Sequence, residues 1–320
     1  MNIKAWIQAM RLRTLPLAVS GILAGTFMAD LLAHTHSGIL IFALFTAVLL
    51  QILSNLANDY GDYMKGTDNE SRIGNTRALQ SGAITPRAMK MGIVICSILA
   101  LLSGIQLLLL STEGNISMWF IIFLLLGLSA IAAAIKYTVG KNPYGYRALG
   151  DVYVFVFFGP IAVAGTFLLH SSFDFSWSDH YPVMFTATTI GLLSTGVLNT
   201  NNLRDVENDR ASGKVTLVVK YGLQWGRVYH TLLLATAFAC AVLLLLTTEM
   251  SLLSWFSLLA FVSVFSQLRK VWITEPSPAY NALLKQLSLA TLLWVLLLII
   301  TSVIDLILQV YNFAGNIYRQ

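Results

Sequence analysis

Residues 38–62 read GILIFALFTAVLLQILSNLANDYGD, a run of twenty residues without a charge that ends in Asn58-Asp59-Tyr60-Gly61-Asp62. About 20 apolar residues at 1.5 Å rise span a hydrocarbon core, so 38–57 is expected to be a transmembrane helix. Working outward, similar runs recur near 15–33, 91–111, 117–135, 151–169, 183–199, 230–248, 251–268 and 287–309. The chain is therefore expected to be an all-α integral membrane protein of nine helices. Its composition agrees, with 11% charged residues where soluble chains average roughly 25%. A mean hydropathy of +0.73 excludes an ordinary soluble domain.

The net charge of +5 would point to nucleic acid in a soluble protein. Here it reports topology, and no nucleic-acid partner is expected. With a cytoplasmic N-terminus, 19 of the 20 basic residues fall in inside segments, leaving only Arg319 outside. That distribution obeys the positive-inside rule. The first run follows Lys4, Arg11 and Arg13 as a signal peptide would, but eight further spans favour a retained helix. Cys96 and Cys240 lie within predicted helices and read as small packing residues. The five histidines show no metal-site spacing.

The polar ending of 38–62 has a counterpart. Asn201-Asn202-Leu203-Arg204-Asp205 repeats its Asn-(Asp/Asn)-x-x-Asp pattern 143 residues later, after the sixth run. Copies after the second and sixth spans imply a parallel repeat of four-helix units within one domain, 1–320, with both motifs on one membrane face. On a helix, Asn58 and Asp62 share a face at i and i+4, as do Asn201, Asp205 and Asp209. Gly66 is suited to turn the chain and bring Asp68 back toward the first pair. Carboxylate and amide oxygens are the hard ligands Mg²⁺ prefers. A lone Asp in a polar loop is usually a solvated charge. Two matched sets at equivalent helix ends predict paired Mg²⁺ sites gripping one diphosphate, with the metal stabilising the leaving group's charge.

Basic residues flank both sets: Lys65, Arg72 and Arg77 at the first, Arg204, Arg210 and Lys214 at the second. They serve membrane orientation or clamp phosphate oxygens. The loop Tyr137-Thr138-Val139-Gly140-Lys141-Asn142-Pro143-Tyr144-Gly145-Tyr146-Arg147 admits two readings. Its tyrosines form either an interfacial belt or the faces of a site for a planar aromatic acceptor, with Lys141 or Arg147 near its carboxylate. A secondary transporter would also place acids beside polar cavities, but near the bilayer midplane and not at helix ends.

From about residue 6 to the last helix, these features resemble the UbiA superfamily of intramembrane prenyltransferases. Asn58–Asp62–Asp68 and Asn201–Asp205–Asp209 look like its two Asp-rich motifs, and Tyr137-x-x-x-Lys141 is similar to its Tyr-x-x-x-Lys loop. Arg13-Thr14-Leu15-Pro16, Asn58 to Asp68, Arg77-Ala78-Leu79-Gln80-Ser81-Gly82 and Pro143-Tyr144-Gly145-Tyr146-Arg147 resemble its menaquinone branch. The resemblance implies nine helices around a central cavity, Mg²⁺ dependence and location in a bacterial inner membrane. It also implies a polyprenyl diphosphate donor and an aromatic acid acceptor, a dihydroxynaphthoate prenylated with loss of CO₂. A sister enzyme using 4-hydroxybenzoate or haem is the alternative. The chain departs from the family's spacing at Gly66, where Asp68 substitutes.

In the combined reading, Asp62, Asp68, Asp205 and Asp209 hold metal, with Asp59 a further candidate and Asn58 and Asn201 completing the shell. Lys65, Arg77, Arg204 and Lys214 face the diphosphate. Asp62, Asp205, Tyr137 and Lys141 form the catalytic set.

Overall fold

The computed structural model describes residues 2–68, 73 and 76–317; Arg72 and Arg319 lie outside the described residues. Among these, nine helices are long and apolar enough to cross a membrane. They are α1 (Ile3–Leu32), α2 (Ser37–Met64), α3 (Pro86–Ser111), α4 (Met118–Lys136), α5 (Gly150–His170), α6 (His180–Arg204), α7 (Leu223–Thr247), α8 (Leu252–Ile273) and α9 (Tyr280–Tyr311).

Each expected run lies within or largely within one of these helices, and several helices outrun it. α2 continues to Met64, α6 to Arg204, and α7 starts at Leu223. Hydropathy marks only the stretch that matches hydrocarbon, whereas the helical hydrogen-bond ladder continues into polar surroundings. The extensions carry both polar motifs out on rigid helix ends.

Local chemistry explains the starts and stops. Thr85 caps α3 by accepting from Ala88 N, with Pro86 at the first helical position. Ser117 does the same for Phe120 N at the start of α4. α2 stops where Gly66 adopts φ +72° and Thr67 N donates back to Asp62 O at 3.0 Å. This is the left-handed C-terminal turn that glycine makes without strain. α1 is interrupted at Arg11, which sits at φ +50° between Ile3–Met10 and a short 3₁₀ turn. Asn55 Nδ2 props this break from α2 by donating to Met10 O and Thr14 Oγ1.

α1 packs against α2, α5, α6 and α9. Between lipid-embedded helices there is little hydrophobic drive, so close backbone approach matters. A Cβ on Gly25 would stand 2.4 Å from Val163 O of α5. There α5 widens into a π-helical stretch, Phe157–Ala164, around Pro160. Phe27, Met28, Phe167, Ile190, Leu193, Leu234, Phe261 and Trp294 join α1 and α5–α9 in one core, while Leu53, Leu56 and Met89 anchor α2 to α3.

Candidate functional site

A cavity of about 620 Å³ opens where α2 and α6 end and runs between α1–α6. Its deep walls are apolar: Leu17, Ile22, Leu101, Leu107, Phe123, Phe158 and Ile161 among others. Its mouth is polar, lined by Arg11, Arg13, Asn58, Asp62, Arg77, Asn201, Asp205, Asn208, Asp209 and Lys214. The two polar motifs, far apart in sequence, thus border one opening.

The first motif is set by α2. Asp62 faces the cavity, and its Oδ1 accepts from Tyr146 Oη at 2.8 Å. Tyr146 Oη also lies 2.6 Å from Thr67 Oγ1, tying the loop after α2 to the loop before α5. Burial first, and Asp62 next, hold the Tyr146 phenol above its ordinary range, so it stays a donor. Thr138 can pack here because position 61 has no side chain: a Cβ on Gly61 would meet Thr138 Oγ1 at 2.5 Å. Thr138 Oγ1 then donates to Ala57 O at 3.0 Å.

Asp59 points elsewhere. It does not line the cavity, and it pairs with Arg11 and with Arg77 Nη1 (2.7 Å). Arg77 Nε lies 3.7 Å from Asp68 Oδ1, so one guanidinium bridges both acids. Burial opposes the Arg77 charge, but Asp59, Asp68 and Asp62 outweigh it and raise its pKa.

The second motif spans a slight break: α6 ends at Arg204, Asp205 follows, and a short helix Val206–Ala211 resumes. Asp209 N still donates to Asp205 O at 2.8 Å. Gly213, at φ +71°, then reverses the chain, and Lys214 Nζ comes to 3.5 Å from Asp209 Oδ1. Burial lifts the Asp209 carboxyl to about 6 against the pull of Lys214. Burial works against the Lys214 ammonium, yet Asp209 and Asp62 hold its pKa above the usual lysine range. Asn208 Nδ2 donates to Thr67 O at 3.0 Å, closing the two motif loops on each other.

Other candidates are placed differently. Arg204 is fully buried behind the motif and turned onto Asp205, Asn201 and Asn281. Lys65 is exposed, 5.2 Å from the Tyr146 ring centroid. Tyr137 lines the cavity, its hydroxyl pushed up to about 12 by burial. Lys141 and Arg147 are exposed and outside the cavity lining. Tyr144 and Tyr153 stack at 3.9 Å on the cavity wall, with Tyr137 edge-on to Tyr144. Asn208 and Asn281 are not singled out from sequence; Arg11 enters only as a topological base, and Arg13 and Tyr146 only within longer stretches. Arg11 and Arg13 read there as bases preceding the first run, 15–33, whereas α1 already starts at Ile3.

The donor set suits Mg²⁺. Among the described residues no three carboxylates or histidines converge to cage an ion. Mg²⁺, however, is normally held by one or two carboxylates plus substrate phosphates. Among the described residues, buried Asp209 Oδ2 accepts no hydrogen bond, which leaves an oxygen available to a cation.

Residues 18–290 match the model of the UbiA prenyltransferase family. The chain is 44% identical over 268 residues to a 1,4-dihydroxy-2-naphthoate octaprenyltransferase of Escherichia coli (strain K12), covering 84% of this chain and 85% of that one. It is 40% identical over 296 residues to the protein of the same description from Haemophilus influenzae, covering 91% and 93%. Among solved structures, a UbiA homolog from Aeropyrum pernix K1 superposes with a TM-score of 0.69 at 15% identity, covering 92% of this chain and 99% of that one. A UbiA homolog from Archaeoglobus fulgidus bound to DMAPP and Mg²⁺ gives 0.59 at 14% identity, covering 93% and 98%.

Proposed function

The chain belongs to the UbiA prenyltransferase family, and on that premise we propose that it transfers a polyprenyl group from its diphosphate to 1,4-dihydroxy-2-naphthoate, releasing CO₂ and diphosphate. The observation that carries this reading is a polar mouth built from two acid motifs above an apolar cavity, which suits a molecule with a charged head and a hydrocarbon tail.

Asp62 on one side, and Asp205 and Asp209 on the other, line the mouth and are the residues that would hold Mg²⁺, with Asn58 beside them; Asp68, paired with Arg77 and outside the cavity lining, stands behind Asp62. When bound, the metal supplies neutralisation of the charge that builds on the departing diphosphate. Arg77 and Lys214 hold positive charge at the mouth whatever the pH near neutrality, since nearby acids raise both pKa values. They orient the diphosphate so that its allylic C–O bond points into the cavity. As that bond breaks, its electron pair leaves with the diphosphate. The electron-rich ring of the naphthoate attacks the allylic carbon, forming the new C–C bond. The ring regains aromaticity when the carboxylate leaves as CO₂, its bonding pair returning to the ring. Tyr137, Tyr144 and Tyr153 flank the space for a planar acceptor, and the apolar walls keep water from the allylic cation. Lys141 and Lys65 belong to the rim.

The motif-bearing end faces the cytoplasm of a bacterial inner membrane in this reading, because the basic segments cluster there. The matched motifs at the ends of α2 and α6 support an internal four-helix repeat.

The test is a Mg²⁺-dependent assay on purified protein with a short allylic diphosphate, offering dihydroxynaphthoate and 4-hydroxybenzoate separately. Prenylated, decarboxylated product from the first alone is expected; Asp62→Ala and Asp205→Asn, the latter keeping an acceptor for buried Arg204, should abolish it while leaving the protein folded. Product from hydroxybenzoate alone would overturn the acceptor, and near-normal turnover in either variant would overturn the metal assignment.

A further inference from the structure

Arg204 is the last residue of α6, and its side chain is wholly buried. A buried charge is tolerable only when paired and fully hydrogen-bonded. Its Nε donates to Asp205 Oδ1 at 2.8 Å and its Nη2 to Asp205 Oδ2 at 2.5 Å, a two-point clamp. Nη2 also donates to Asn201 Oδ1 at 2.8 Å, and Nη1 to Asn281 Oδ1 at 2.8 Å. Asn281, near the start of α9, accepts in addition from Arg13 Nη1 at 3.1 Å. One amide oxygen thus ties α1 and α9 to the second acid motif.

The consequence falls on Asn201. A guanidinium has five N–H donors and no acceptor. The atom of Asn201 that faces Arg204 therefore has to be oxygen, whatever else surrounds the amide. That leaves the NH₂ end turned away from Arg204, on a residue that lines the cavity mouth. Among the described residues this NH₂ makes no hydrogen bond. The first motif lacks the constraint, because Gly61 stands where Arg204 stands in the second. Among the described residues, the Asn58 side chain is held by one hydrogen bond, from Thr138 Oγ1 to its Oδ1 at 3.4 Å. The two motifs share a pattern, but their asparagines are not held alike.

We propose that Asn201 donates a hydrogen bond through its amide NH₂ to a phosphoryl oxygen of the prenyl diphosphate, and is not an oxygen ligand of the metal. Arg204 acts as a positioning residue that fixes this orientation, and Asn281 anchors Arg204. The assignment rests on a prenyl diphosphate being the donor at this site, and it gives the second motif's asparagine to the phosphate while its acids Asp205 and Asp209 stay with the metal.

The experiment uses the full-length protein without acceptor. Geranyl thiolodiphosphate, which resists ionisation, is titrated calorimetrically at saturating Mg²⁺. Mn²⁺ is titrated alone and followed by loss of its free-ion EPR signal. Asn201→Asp removes both donors and adds a carboxylate, so the analogue should bind about tenfold weaker or worse, with Mn²⁺ affinity unchanged or tighter. Asn201→Ala, which adds no charge, should weaken the analogue in the same direction and also leave Mn²⁺ affinity unchanged. In an Arg204→Gln background, where the amide is free to turn, Asn201→Ala should cost clearly less than it does alone. Unchanged analogue binding in Asn201→Asp, or weakened Mn²⁺ binding in Asn201→Ala, would overturn the proposal. Failure of the wild-type protein to bind the analogue at all would instead overturn the diphosphate reading on which it stands.

Discussion

Asp59 separates metal chemistry from structural pairing, and Asp59→Asn is the substitution that tests the distinction. The residue sits between Asn58 and the cavity-facing Asp62, and by type it is an eligible magnesium ligand. Its carboxylate is 2% exposed, and its Oδ1 receives both Arg11 and Arg77, whose side chains are 14% and 10% exposed. Replacing it with Asn leaves an acceptor of the same shape but removes the charge that holds two guanidiniums together. Breaking one partner of a buried pair costs about 3–5 kcal/mol. The retained amide oxygen returns about 1 kcal/mol of that as a neutral hydrogen bond. A net loss of about 2–4 kcal/mol corresponds to a fall of about 3–6 °C in the unfolding midpoint for a chain of this size.

The assay is thermal unfolding in detergent, read by tryptophan fluorescence, beside a Mn²⁺ titration of the same preparation. A lowered midpoint with unchanged metal affinity is expected. An unchanged midpoint with metal affinity weakened by an order of magnitude would refute the reasoning and return Asp59 to the metal shell.

Tyr146→Phe deletes the hydroxyl that donates to Asp62 Oδ1; a hydrogen bond to a charged acceptor is worth about 1.5 kcal/mol or more, so kcat/KM should fall roughly tenfold. Unchanged kinetics would mean that Asp62 needs no such support. Gly61→Ala, which in an open helix would stabilise by about 1 kcal/mol, should here lower the unfolding midpoint and the activity, because the added Cβ meets Thr138 Oγ1 at 2.5 Å and Thr138 C at 2.7 Å. A raised midpoint would show that the loop yields freely. Mg²⁺ with geranyl thiolodiphosphate at about 100 times its dissociation constant should stabilise the folded protein by about 2.7 kcal/mol, and Asp205→Ala should abolish that gain; chelation by EDTA should reverse it.

Most of the fold is legible in the sequence because lipid imposes a simple rule. Every spanning backbone must satisfy its own hydrogen bonds, so an uncharged run near 20 residues has one outcome. Nine runs and the charge asymmetry therefore lead to nine helices. Helix ends escape the rule: nothing in hydropathy says that α2 carries on through Asn58 and Asp62, or that α1 breaks at Arg11. Those depend on tertiary props such as Asn55 against Met10 O.

The site is legible in its acids and opaque in its bases. An Asp-rich motif at a helix end declares itself because carboxylates are costly beside a membrane and need a reason. Arginines beside the same membrane already have a reason in topology, so their count hides which of them turn inward. Arg204, Arg210 and Lys214 lie within eleven residues of one another, and the sequence reading sets Arg204 and Lys214 alike toward the diphosphate. Only the fold shows that Arg210 pairs with Glu207 at the surface, Lys214 reaches Asp209, and Arg204 is buried against Asn281 from the far end of the chain. That last contact is the reason the two motifs cannot be equivalent. Position 61 must be small for Thr138 to approach, and position 204 must be a guanidinium if Asp205 and Asn201 are to be held from behind. The repeat in the sequence therefore marks where the ligand sits, and the departure from it at positions 61 and 204 marks which asparagine is held by its oxygen, with its NH₂ turned to the phosphate.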